Sequence, residues 1–242
     1  MGLFAVQREF SAYGPSHWLA LLVFGVGAAL VVRVGRGHRS QARAALRFSR
    51  AFAVTILALS LARLIHSLLP PSLQNSVPLH ISDLVPLATA YALYSRSRWA
   101  YALTYYWGLV LSTQALATPA LTGPDFPHFN FLFFWGSHLL VVWAAVYLTW
   151  GLGMRVGWRS YRITVAITAG WAAATMSFNA VAGTNYGFLN RKPETVSVLD
   201  LLGPWPWYLL ALAAVLLVVW ALLTWPWVRH RRGVGDSGRR TN

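Results

Sequence analysis

The chain has 242 residues, 57% of them hydrophobic and 11% charged, with 13 Trp and a formal net charge of +14. Apolar residues on that scale exceed what a soluble domain of this size can bury, so an ordinary water-soluble protein is excluded. The chain has no Cys, which excludes disulfides, thiolate zinc sites, iron–sulfur clusters and a cysteine nucleophile.

A spanning helix needs roughly 20 mostly apolar residues, and seven apolar runs can be marked in order: 14–34, 46–69, 77–94, 99–117, 129–152, 163–182 and 205–228. The first run has neither a basic segment before it nor an A-x-A-like cleavage site, and arginines follow it, so it reads as a retained helix. Ser95, Arg96, Ser97 and Arg98 separate the third and fourth runs and suit a tight turn between antiparallel neighbours. The expected fold is all-α, a polytopic seven-transmembrane-helix bundle over 1–228, with a basic disordered tail over 229–242.

Arginines fall in short blocks between the runs. The excess charge therefore reads as a topology signal and not as a nucleic-acid surface. One set of alternate loops holds Arg33, Arg36, Arg39, Arg43, Arg47, Arg50, Arg96, Arg98, Arg155, Arg159 and Arg162, together with the tail arginines Arg229, Arg231, Arg232, Arg239 and Arg240. The other set holds Arg8, Arg191 and Lys192 beside Glu9, Asp125, Glu194 and Asp200. This asymmetry predicts an outside N-terminus and a cytoplasmic C-terminus in a multi-pass membrane protein. Arg36, Arg39, Arg43, Arg47 and Arg50 would form one stripe on a helix. That stripe serves either as an orientation signal alone or as a contact for anionic lipid head groups. The sequence leaves the oligomeric state unassigned.

Ionisable and amide side chains are costly in hydrocarbon, so each is a candidate site residue. With the orientation above, Arg63, His66, His80, Ser82, Asp83, Gln114, His138 and Asn179 all fall in the outer half of the bundle, while the cytoplasmic half offers little beyond Ser and Thr. A polar cavity opening toward the outer leaflet is expected. Arg63 and Asp83 are the expected internal ion pair, as part of a site or as a structural clamp. Pro86 has no N–H for the Ser82 carbonyl, so the third helix should kink or loosen there. His17 and His66 read equally as hydrogen-bonded core, and no cofactor is expected.

Three stretches are distinctive: Val77-Pro78-Leu79-His80-Ile81-Ser82; Gly183-Thr184-Asn185-Tyr186-Gly187-Phe188-Leu189 with Lys192-Pro193; and Leu202-Gly203-Pro204-Trp205-Pro206-Trp207-Tyr208. With His138 they resemble the YwaF-like (TP0381-type) bacterial integral membrane proteins, whose animal relatives are TMEM164-like. The resemblance implies transfer of fatty acyl chains between phospholipids through an acylated cysteine in an L-P-L-H-L-C pattern, whose last position is Ser82 here.

A serine hydroxyl needs a base. On a regular helix His80 and Ser82 point about 160° apart, so His138 from another helix is the better base, unless unwinding brings His80 round, with Asp83 or Asn179 orienting it. This gives a lipid acyltransferase or hydrolase with Ser82, His138, His80 and Asp83 in catalytic positions and Arg63, His66, Gln114, Asn179, Asn185 and Tyr186 binding substrate. A non-enzymatic lipid or small-ligand binding or sensing protein would use the same cavity. A metal-dependent hydrolase through His66, His80, Asp83 and His138 is the third reading, weakened because the seventh helix has no His.

Overall fold

Helices follow the apolar runs. The computed structural model describes residues 8–119, 121–192 and 198–237. Among these the backbone forms no β-strand, only an isolated antiparallel bridge between Glu9 and Pro124. Helices α1 (Pro15–His38) and α2 (Ala42–Ser67) are followed by α3 (Ile81–Ser95). Helix α4 (Arg98–Tyr106) passes through a π-helical segment (Trp107–Ser112) into α5 (Thr113–Ala117), making one helical column over 98–117. Helix α6 (Phe129–Val146) also runs into a π-helical segment (Tyr147–Gly151), and α7 (Trp158–Ala182) and α8 (Trp207–Ser237) complete the chain.

Among the described residues five helical stretches have the length and apolarity to cross a membrane: Pro15–His38, Ala42–Ser67, Phe129–Gly151, Trp158–Ala182 and Trp207–Arg229. Helix α3 has 15 residues, short of the roughly 20 that span hydrocarbon, and its column neighbour 98–117 is interrupted by the π segment. Large apolar side chains point outward along the long helices, among them Trp18, Leu22, Leu30, Leu61, Leu210 and Leu222. Hydroxyls are turned inward, with Ser49, Thr89, Thr104, Thr164 and Thr224 buried. That inversion suits a lipid solvent, where the apolar residue gains nothing by hiding and the polar one must find a partner.

Helix α1 lies against α6 through glycines. A Cβ on Gly35 would stand 2.5 Å from the Gly151 Cα, and one on Gly27 would overlap the Trp143 ring. Close backbone approach replaces the missing hydrophobic drive between helices in lipid. Trp143 Nε1 adds a 3.0 Å hydrogen bond to the Phe24 carbonyl. In the tightest part of the bundle, Ala100 to Trp107 are all buried.

The backbone departs from the sequence expectation in four places. Helix α3 begins at Ile81, not at 77, because Pro78 disfavours helical geometry at Val77 and His80 is extended (φ −64°, ψ 141°). The helix then runs unbroken past Pro86, which sits in the second turn, where only the bond to the Ser82 carbonyl is forfeited. The arginine stripe is divided: Arg36 belongs to α1, Arg39 to the link, and Arg43, Arg47 and Arg50 to α2. The expected disordered tail is helical as far as Ser237, since adding a residue to an existing helix fixes one more hydrogen bond without a new nucleus. Pro193, Glu194, Arg239 and Arg240, and the side chains of Arg231 and Arg232, lie outside the described residues.

Glycine packing sets a measurable requirement. Gly35→Ala is expected to lower the stability of the purified protein by about 1–3 kcal/mol, the usual cost of overpacking. Gly25→Ala, with nothing within 4 Å of the added carbon, should be neutral or stabilising. Thermal unfolding in one detergent compares the two.

Candidate functional site

The first turn of α3 is held from outside its own helix. Val77 N–H donates to the Tyr186 hydroxyl at 3.0 Å, and that hydroxyl donates to the Leu73 carbonyl at 2.7 Å. Trp171 Nε1 donates to the Leu79 carbonyl at 3.0 Å, and Gly187 N–H donates to His80 Nδ1 at 3.2 Å. Gly187 has φ +67°, and a Cβ there would meet the Trp171 ring at 2.8 Å, so only glycine allows the loop to close on both partners. The loop is knotted by Asn179, whose amide donates to the Tyr186 carbonyl (3.0 Å) and Asn190 Oδ1 (3.0 Å) and accepts from the Thr184 hydroxyl (2.7 Å) and Tyr186 N–H (2.8 Å).

Two spaces open on either side of this turn. On one face Arg63, Ser67, Asn75, His80 and Asp83 line a cavity of about 140 Å³. It adjoins a shallower groove of about 460 Å³, bounded by Arg63, His66, Asn75, Asn130 and Phe133. On the other face Ser82, Pro86, Ser112, Ser137 and His138 line a cleft of about 10 Å³, close to the least space that holds one water molecule. The helical period explains the division: His80 and Asp83 share a face, and Ser82 and Pro86 share another.

The hydrogen bonds fix which histidine has a free basic nitrogen. His138 Nδ1 lies 2.7 Å from the Phe134 carbonyl, which can only accept, so this nitrogen carries the proton and Nε2 of the neutral ring keeps its lone pair. His80 is the reverse: Nδ1 accepts from Gly187 N–H, leaving Nε2–H as a donor. His17 is fully buried and spends both nitrogens, on Tyr13 N–H (2.8 Å) and the Leu116 carbonyl (3.0 Å). It is a structural clasp between α1 and the end of α5.

Several sequence expectations change here. Among the described residues no ion pair joins Arg63 to Asp83, although both line one cavity. The Asp83 carboxylate accepts from His80 N–H at 3.2 Å at the helix start, and the Arg63 guanidinium lies over the Phe133 ring, 5.3 Å from its centroid. Gln114 is exposed and bonded to its neighbour Thr118 at 2.6 Å, apart from both spaces. Asn185 bonds Asn190 N–H, Arg191 N–H and the Arg191 carbonyl, so Asn179, Asn185 and Tyr186 have their polar atoms committed to the scaffold. His66 is exposed against Phe129, with ring centroids 4.5 Å apart. Among the described residues no three of the His, Asp and Glu side chains converge as metal ligands, so His66, His80, Asp83 and His138 do not form one donor set.

The TMEM164 family model matches residues 12–224. The chain belongs to the TMEM164 family. No curated protein and no solved structure matches it. Family membership and the apolar helices together make it a multi-pass integral membrane protein.

This family member also has a polar interior at the opposite end of the bundle, which the sequence reading missed. Tyr101 bonds Thr149 (3.0 Å) and the Met154 carbonyl (3.0 Å), Tyr105 donates to the Leu223 carbonyl (3.1 Å), and Tyr106 pairs with Thr224 (2.6 Å). Arg96 donates to Ser49 at 2.6 Å, and Arg39 to the Gly151 and Trp150 carbonyls at 2.6 and 2.9 Å. Tyrosines at i and i+4, 101 and 105, were the available signal, but Tyr counts as apolar in a hydropathy pattern.

Scaffold and ligand roles give opposite outcomes. Asn179→Ala is expected to cost about 3 kcal/mol by stranding buried partners, while Gln114→Ala leaves stability unchanged. Chemical unfolding of the ligand-free protein measures both.

Proposed function

We propose that this protein acts on phospholipid acyl esters at an extracytoplasmic site in which Ser82 is the nucleophile and His138 its base. The observation that carries the reading is that these two side chains, from α3 and α6, line one cleft, with the His138 Nδ1–H bond leaving Nε2 free to take a proton. In this reading α3 and the column 98–117 also cross the membrane, giving seven crossings with the N-terminus outside. The arginine-rich loops support that orientation, and Arg36, Arg43 and Arg47 contact anionic head groups in the cytoplasmic leaflet. The stretch Val77-Pro78-Leu79-His80-Ile81-Ser82 leading into α3 supports kinship with the YwaF-like branch of bacterial plasma-membrane proteins.

The chemistry balances without a cofactor. Ser82 Oγ attacks the acyl carbonyl while its proton passes to His138 Nε2. The tetrahedral adduct then breaks the bond to the glycerol oxygen, which takes the proton from His138 as the lysolipid leaves. Water or the hydroxyl of a second lysolipid attacks the acyl-serine ester through the same base, giving hydrolysis or transfer respectively. Arg63 in the neighbouring cavity binds the lipid phosphate, with His80 Nε2–H as a second donor.

A binding or sensing role is the second reading, favoured by the size of the spaces: the cleft beside Ser82 has room for about one water, whereas the Arg63 cavity and groove are far larger. Phosphatidylcholine vesicles carrying a fluorescent acyl chain separate the two. Ser82→Ala is expected to abolish acyl turnover and fluorophosphonate labelling while lipid binding persists, and Arg63→Ala to raise KM with kcat retained. Turnover or labelling that survives Ser82→Ala would overturn Ser82 as the nucleophile, and lipid binding by the parent protein with neither turnover nor labelling would leave binding as the function.

A further inference from the structure

Many serine and threonine hydroxyls inside these helices bond back to their own helix. Ser49, Thr104, Thr168 and Thr224 each donate to the carbonyl four residues earlier, at 2.6–2.9 Å. Ser112 does not. Its carbonyl four residues back belongs to Gly108, and in the π-helical segment Trp107–Ser112 that oxygen is reached instead by the Thr113 hydroxyl, at 3.5 Å. The wider π turn shifts the register by one residue. Ser112 is left 6% exposed, with no hydrogen-bond partner for its side chain among the described residues.

Thr89, Thr164 and Thr175 also have hydroxyls without partners, but theirs are buried, whereas Ser112 lines a cleft. That cleft is the one lined by Ser82 and His138. The donors and acceptors within it can be assigned in turn. His138 spends Nδ1–H on the Phe134 carbonyl, and Ser137 donates to the same carbonyl at 3.1 Å. The Ser82 proton goes to His138 Nε2 in the proposed reaction. The remaining O–H belongs to Ser112.

We propose that Ser112 is a further catalytic residue, donating its hydroxyl hydrogen to the acyl carbonyl oxygen as negative charge develops there. This role rests on the Ser82–His138 reading and deepens it. The π segment would then serve to keep one hydroxyl out of its own helix, so that its hydrogen bond is made to the reacting oxygen and not to the backbone. A donor whose bond becomes available only with substrate present is worth most where charge appears.

The test uses the full chain in detergent or nanodiscs with the fluorescent-acyl phosphatidylcholine as probe. Ser112→Ala is expected to lower kcat by about 10²-fold, the usual loss for one oxyanion donor, with KM within twofold and with slower fluorophosphonate capture at Ser82. Ser112→Thr, which keeps the hydroxyl, should recover most of the rate. The Tm of Ser112→Ala should equal or exceed that of the parent, because the hydroxyl removed has no partner.

A Ser112→Ala rate within threefold of the parent would overturn the proposal, as would a Tm several degrees lower, which would mark a structural hydroxyl. A fluorophosphonate adduct on Ser112 would make it the nucleophile and overturn the donor role. These outcomes are distinct from failure of the parent reading, in which Ser82→Ala retains turnover and labelling and the donor role falls with it.

Discussion

Everything at the candidate site depends on the short extended stretch before α3 being held down by the last long connection. Val77, Leu79 and His80 are bonded by Tyr186, Trp171 and Gly187, none of which belongs to their own helix. These bonds replace the ones α3 would have made by starting a turn earlier, which Pro78 and the extended His80 prevent. A backbone group left unbonded and away from water costs free energy comparable to a lost hydrogen bond, so the loop 183–191 and the start of α3 stand or fall together. Where that turn begins determines which residues face the cavity and which face the cleft.

Histidine roles in this bundle follow from single hydrogen bonds. Three rings that look alike in sequence differ in which nitrogen is engaged: both for His17, Nδ1 as acceptor for His80, Nδ1 as donor for His138. A ring with no free nitrogen holds helices together, a ring with a free N–H can bind an anion, and a ring with a free lone pair can accept a proton. Hydrophobic periodicity has no access to that distinction, because it depends on which carbonyl or amide happens to be in reach.

The helices and their order were readable from the sequence because lipid demands long apolar runs and the arginine blocks mark where they end. Ser95 to Arg98 was readable as a turn, and Arg96 does adopt a left-handed conformation there (φ 56°). Of the single polar cavity expected, the structure has two separate spaces, one lined by Arg63, His80 and Asp83 and one by Ser82 and His138, and the tyrosine network at the opposite end was not expected. Partner choice was not legible. The Arg63–Asp83 pair was inferred from opposite charge at similar depth, yet the carboxylate meets a backbone N–H and the guanidinium a phenyl ring. Asn179 was assigned to substrate because an intramembrane amide is costly, and Asn185 and Tyr186 because they sit in a distinctive loop; in the structure the two amides bond within that loop and the Tyr186 hydroxyl bonds the stretch before α3. The π segments left no trace in the pattern, because one residue gained in a helix alters neither composition nor hydropathy.

A serine where the animal pattern has cysteine changes what the rest of the site must supply. A thiol near neutral pH is partly ionised and intrinsically nucleophilic, so it reacts with modest help. A hydroxyl is not, and it needs a base with a fixed free lone pair and a donor for the oxyanion. On the proposed reading both are present beside Ser82: His138 is locked in the tautomer that leaves Nε2 free, and Ser112 is released from its helix by a π segment. Each is a specific arrangement, a committed ring orientation in one case and a hydroxyl with no bond to its own helix in the other. Unpaired hydroxyls occur elsewhere in the bundle, at Thr89, Thr164 and Thr175, so what sets Ser112 apart is that it lines the same cleft as Ser82 and His138, where the proposed reaction needs a donor.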